Sequence, residues 1–130
     1  MKKSKAKGKP SELELQVLSV LWEHGPLSVR KVHELLRDGK KRAYTTVLAV
    51  LQGMERKNLV DHSRDGMANI YRPLVNQKQA VNPVMKDLLK NIFGGDTSAA
   101  VQCLLDSSNP DADELKEIRR LINEAAKEKK

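Results

Sequence analysis

A mainly α-helical chain in two modules, carrying one β-hairpin, is predicted by three observations. Apolar residues recur at helical spacing through most of the 130 residues, glycine and proline punctuate them at short intervals, and the period changes once, around Asp65-Gly66. That length fits one ordinary domain, or a small domain plus an accessory segment. Residues 1–10 carry five lysines and no acid and are expected as a basic flexible tail; residues 11–75 form the first module and 76–130 the second.

Each element has a local cause. Ser11 is a good N-cap, and Glu12 and Glu14 favour the positive end of a helix carrying Leu13, Val17, Leu18, Leu21 and Trp22, which Gly25-Pro26 stops. Leu27 supplies a short strand. Ser28 caps a second helix with Val29, Val32, Leu35 and Leu36 on one face, ending near Gly39. A third runs from about Tyr44 to Lys57 with Val47, Val50, Leu51 and Met54 inward. Leu59–Arg64 and Asn69–Leu74 then flank Asp65-Gly66, a strong hairpin signal. Three helices and a hairpin in this order are the plan of a winged helix-turn-helix, whose third helix enters the major groove while the hairpin lies along the DNA backbone.

In the second module Asn82-Pro83 is expected to open a helix carrying Val84, Leu88, Leu89, Ile92 and Phe93, closed by Gly94-Gly95 as a left-handed cap. Thr97 or Ser98 caps a short helix with Val101, Leu104 and Leu105, and Asn109-Pro110 opens the last, where Leu115, Ile118 and Ile122 form a narrow apolar seam. Three short amphipathic helices cannot bury these faces alone, so a second copy of the chain is expected to cover them. The dimerisation residues on this reading are Val84, Leu88, Ile92, Val101, Leu104, Leu105, Leu115, Ile118 and Ile122.

Charge agrees with a DNA-facing first module. The net +7 divides into +5 in residues 1–10, +2 in residues 11–74 and zero in residues 75–130. Thr45 and Thr46, in the first turn of the third helix, and Ala49 and Gln52, further along its outward face, are the candidate base readers: hydroxyls exchange hydrogen bonds, methyls touch thymine, and an amide can pair with adenine. The alternative for the threonines is a role in the helix turn, since Ala43 is a poor N-cap. Lys40, Lys41, Arg42, Tyr44, Arg56, Lys57, Arg64 and Arg72 are candidate phosphate contacts. Tyr44 is open to packing on the helix end, Lys57 to a role at the negative helix pole, and Gln52 to a solvated place on the surface.

Other classes find little support. Four aromatic residues are too few for single-strand stacking platforms, and a lone Cys103 excludes a disulfide framework and a multi-cysteine zinc site. Cys103, set among Val101, Leu104 and Leu105, is expected as buried packing. The three histidines have no metal-ligand spacing, and no nucleophile elbow, phosphate loop or carboxylate pair marks an enzyme. No cofactor is expected. No apolar run approaches a membrane span and no signal-peptide core follows the basic start, so a cytoplasmic protein is expected.

The run from Ala43 to Gln52, followed by Met54-Glu55-Arg56-Lys57, resembles the recognition helix of the penicillinase-repressor family. Ser11–Trp22 and Val29-Arg30-Lys31-Val32 resemble its first two helices, Tyr71-Arg72-Pro73-Leu74 the end of its wing, and Phe93-Gly94-Gly95 its hinge. The resemblance covers about residues 11–125 and implies a homodimeric repressor bound to a dyad operator near β-lactam-resistance, copper-handling or related stress genes. It also implies a membrane sensor-protease as partner, which in the penicillin branch cuts an Asn-Phe bond past the glycine pair; Gln102-Cys103 occupies that place here and is the candidate cleavage site. The chain departs from the family there, in lacking the cysteine cluster of the copper branch, and at Gly53, where many members carry arginine. A ligand-sensing winged-helix regulator and a winged helix used for protein interaction are the alternatives.

Overall fold

The computed structural model describes residues 9–36 and 40–129, arranged as two compact units that divide between Asp87 and Leu88. The first eight tail residues lie outside the described residues, and the second helix, expected to end near Gly39, ends earlier, at Leu35, because Leu36 turns to extended backbone as its C-cap.

The first unit begins with α1 (Glu12–His24). Ser11 and Glu14 cap it reciprocally, and Gly25 ends it at φ +83°, a backbone conformation open to glycine. Strand β1 (Leu27–Ser28) leads directly into α2 (Val29–Leu35), capped by Ser28. The helix α3 (Tyr44–Arg56) follows, with no side-chain cap from Ala43. Strands β2 (Val60–Asp65) and β3 (Ala68–Pro73) pair antiparallel around Gly66-Met67, and β1 adds to the other edge of β3, giving the order β1-β3-β2. Gly66 supplies the positive φ that this two-residue turn needs at its first position.

One core holds this unit. Val17, Leu18 and Leu21 of α1, Val29 and Val32 of α2, Val47, Leu51 and Met54 of α3, and Leu59, Val60 and Tyr71 are buried together. Trp22 Nε1 donates to the Val75 carbonyl at 2.9 Å, tying α1 to the chain leaving β3. The expected three helices and hairpin are therefore present as a winged helix-turn-helix.

Helix α4 (Gln77–Asn91) corrects the expectation that Asn82-Pro83 opens it. The opening belongs to Asn76 and Gln79, which cap reciprocally at 2.8 and 2.9 Å, and Pro83 lies inside the helix. Ala80 joins the core of the first unit, while Pro83 leaves one backbone hydrogen bond of the helix unmade.

In the second unit Gly94 and Gly95, both at positive φ, close α4, and Gly95 N donates to Leu89 O at 2.9 Å as in a Schellman cap. Helix α5 (Thr97–Ser108) is capped by Asp96, not by Thr97 or Ser98 as expected; a carboxylate accepts the Ala99 N–H at 3.1 Å. Helix α6 (Ala112–Glu128) is capped by Asp111. Neither α5 nor α6 contains a buried residue. Cys103, expected in a packed interior, is exposed, because nothing in its own unit covers that side of α5.

Candidate nucleic-acid interface

The face of α3 opposite the core is built from Thr45, Thr46, Ala49, Gln52 and Arg56, all exposed, while Val47, Leu51 and Met54 are withdrawn on the other side. The steps from 45 to 49, 52 and 56 alternate between four and three, so Thr45, Ala49, Gln52 and Arg56 form one stripe along the helix. Since Ala43 offers no cap, the first turn is closed by its carbonyl alone, which accepts from Thr46 N at 3.0 Å and Val47 N at 3.3 Å. The side chains of Thr45 and Thr46 stay outward, on the positive end of the helix.

The segment entering α3 is held by a residue whose spacing carries no signal. His33 Nε2, on α2, donates to the Arg42 carbonyl at 2.5 Å, and its ring meets Tyr44 edge-on with centroids 6.4 Å apart. Tyr44 remains about half exposed. His33, Leu36, Lys40, Lys41 and Arg42 surround a shallow depression whose rim carries three of the predicted cations.

The remaining predicted cations divide. Arg64 Nε donates to the Gly66 carbonyl at 3.2 Å, bracing the wing turn. Arg72 donates to Ser63 Oγ at 2.7 Å and lies 3.5 Å from Asp61, so its guanidinium is drawn across the wing strands. Lys57, just past α3, is paired with Glu14 at 2.7 Å and donates to the Lys9 carbonyl. Burial alone would raise the Glu14 pKa, but the hydrogen bonds from Lys57 and the Ser11 N–H, with the Lys57 charge, hold it below its usual 4.5.

Two contributors leave no trace in the hydrophobic pattern. His62 of β2 pairs with Glu55 of α3 at 2.6 Å and lies 5.2 Å from the ring of Tyr71, so the wing is fastened to the back of the helix. A helix-to-strand contact of this kind has no periodic signature. Met67, at the wing tip, is 92% exposed, and its sequence signal is only an apolar residue following Asp-Gly. Gln102 and Cys103 lie exposed within α5, whose helical turns must open before a protease can engage them. Among the described residues no helix is long and apolar enough to cross a membrane, and no histidine, cysteine and carboxylate cluster could hold a metal.

The family profile described as penicillinase repressor matches residues 10–124. The chain is 36% identical over 115 residues to the transcriptional regulator BlaI of Mycobacterium tuberculosis (strain CDC 1551 / Oshkosh), covering 87% of this chain and 82% of the relative. It is 21% identical over 120 residues to the penicillinase repressor of Bacillus licheniformis, covering 92% and 94%. In fold it resembles the solution structure of the DNA-binding domain of the repressor BlaI, with a TM-score of 0.51 at 22% identity over 58% of this chain and 93% of that one. Transcriptional repression is not an enzyme activity. The profile match, the relatives and the winged-helix fold agree, and the chain belongs to the penicillinase repressor family of transcriptional regulators.

Proposed function

We propose that this protein is a homodimeric repressor that reads a dyad operator through α3 and blocks transcription by occupying it. The observation that carries the reading is the outward face of α3, where short and polar side chains run the length of the helix opposite a fully buried face. Small residues let a helix sit deep in the major groove, and threonine and glutamine can address base edges there. Lys40, Lys41, Arg42 and Tyr44 at one end of the helix, and Arg64 and Arg72 on the wing, are the proposed contacts to flanking phosphates. For Arg72 that contact competes with Asp61, and for Lys57 with Glu14.

One such unit offers a single short half-site. Two copies joined through α4 and the second unit dock on DNA as one body, and half-sites about 34 Å apart place both helices on the same face of the duplex. Val84, Leu88, Ile92, Val101, Leu104, Leu105, Leu115, Ile118 and Ile122 are the residues proposed to form the joint.

The test separates reading from positioning. Replacing Thr45 and Thr46 with Ala should lower the preference for operator over random DNA, by about 1–3 kcal/mol for each base edge no longer addressed. Arg64→Ala should weaken both kinds of DNA together. Competition titrations at fixed salt measure both quantities, and a threonine variant that keeps its full preference sinks the assignment of α3 as reader.

A further inference from the structure

We infer that Arg56 reads a guanine in the operator, and that Gly53 is the notch that lets it do so. The inference rests on the repressor reading above and refines it. Arg56 closes α3, so a side chain turned away from the preceding turn would carry its charge past the helix end, towards the phosphate strand. It folds back instead: its Nη2 lies 3.6 Å from the point where a Cβ on Gly53 would stand. The fold follows the natural lean of helical side chains towards the preceding turn, and the missing side chain at 53 leaves the space open.

This placement changes what the group can meet. The guanidinium lies at the level of Gln52 and Gly53, and Arg56 belongs to the stripe of Thr45, Ala49 and Gln52 along the middle of the outward face. The middle of such a face meets base edges, and its flanks meet phosphates. Arginine presents two parallel donors that match O6 and N7 of guanine, as the Gln52 amide matches N6 and N7 of adenine. Residues four apart are neighbours on a helix, so the two forks stand side by side.

The electrostatics point the same way. Lys57 is held by Glu14, and Arg72 by Asp61 and Ser63, so either must give up a partner to reach DNA. Among the described residues nothing accepts a hydrogen bond from the Arg56 guanidinium, which is therefore presented without a bond to break. Glycine in the body of a helix is destabilising relative to alanine. An alanine Cβ there would stand in ordinary contact with the guanidinium, so it is a longer side chain at 53, and not the first carbon, that the placement of Arg56 excludes.

The experiment uses the full chain and an operator that the chain itself selects from a randomised duplex library. Each base pair of the half-site is then varied in competition titrations with the parent, Arg56→Ala, Arg56→Lys and Gly53→Leu. Arg56→Ala should lose about ten- to a hundredfold of discrimination at one G·C pair and little elsewhere. Arg56→Lys, which keeps the charge but not the fork, should fail to restore it. Gly53→Leu, which fills the space now occupied by the guanidinium, should show the same loss at the same pair. Thermal unfolding of each variant verifies that the fold is kept, as expected for exposed Arg56 and for Gly53, which lies outside the buried core. A uniform loss on every sequence, with the salt slope shallower by about one and rescue by lysine, would mark a phosphate contact and overturn the guanine assignment alone. A parent chain that selects no sequence overturns the repressor reading and this one with it.

Discussion

In the first unit, residues from α1, α2, α3 and both long strands meet in one interior: Leu18, Val32, Leu51, Met54 and Val60 have no exposed surface at all, and Tyr71 of β3 is 1% exposed. In the second unit, Leu88 is 43% exposed, Ile92 70%, Leu104 58% and Ile122 56%, and α5 and α6 bury nothing. The difference is one of geometry rather than composition. A sheet edge, a helix pair and a third helix enclose a volume, whereas a few consecutive helices of this length present more apolar face than they can cover among themselves. On the proposed reading, the first unit is complete as a single chain and the second is half of a joint.

The sharpest way to break that comparison is to charge the joint. Replacing Leu115 and Ile118 together with Asp should yield a monomer in sedimentation, with the first unit still folded, because an unpaired buried charge costs several kcal/mol in a packed interface. Operator affinity at physiological salt should fall by about a hundredfold or more, the gain that linking two docking events supplies. Sedimentation and a DNA titration on one sample read both halves. A monomeric variant that binds the operator as tightly as the parent would show that the second unit does not serve affinity.

A matched pair of truncations sharpens it further. Leu51 is fully buried, and Leu51→Ala should destabilise the first unit by about 2–5 kcal/mol at any protein concentration. Ile122, of the proposed joint, is 56% exposed in the single chain, and Ile122→Ala should leave the unfolding of the first unit unchanged. Its effect should be confined to the concentration dependence of the melt. Denaturant titrations at two protein concentrations distinguish the cases.

The same contrast governs what could be read from the sequence. Ser11, Gly25, Ser28, Asp65-Gly66 and Gly94-Gly95 act through the backbone of their own neighbourhood, so helix ends and the hairpin were legible one residue type at a time. The face of α3 was legible for the same reason. The start of α4 was not, because Pro83 imitates a helix opening while the actual opening is an amide pair, Asn76 and Gln79, supported by burying Ala80 in a core assembled from distant elements. The partners of the cations were not legible, for a related reason. Lys57 and Glu14 lie 43 residues apart and meet only in the fold, so a basic residue at a helix end was indistinguishable from a phosphate contact until its partner was placed. Cys103 looked buried because its neighbours in sequence are apolar, but burial needs a covering element, and its own unit supplies none.

The smallest expected effect is the most diagnostic of how the first unit is fastened. Glu14 accepts the Ser11 N–H at 2.9 Å and the Lys57 ammonium at 2.7 Å, with its side chain only 12% exposed. Glu14→Gln preserves the capping box, which glutamine also satisfies, and removes only the charge pair. It should cost roughly 1 kcal/mol at neutral pH, the scale of a well-formed but partly exposed pair. The folded pKa lies below the ordinary 4.5, so the folded chain binds fewer protons than the unfolded one at that site. The stabilisation is therefore fully present above pH 4.5 and is lost as pH falls through the native value beneath it. The gap between parent and variant should close over that range. Glu117, paired with Arg120 on α6 at 2.6 Å, is 56% exposed, and Glu117→Gln should move stability by nothing measurable at either pH. Urea titrations of both variants at about pH 7 and below 4.5 make the comparison. A Glu14→Gln variant as stable as the parent at neutral pH would mean that the Lys57 pair only orients the start of α1 and contributes nothing to holding the unit together.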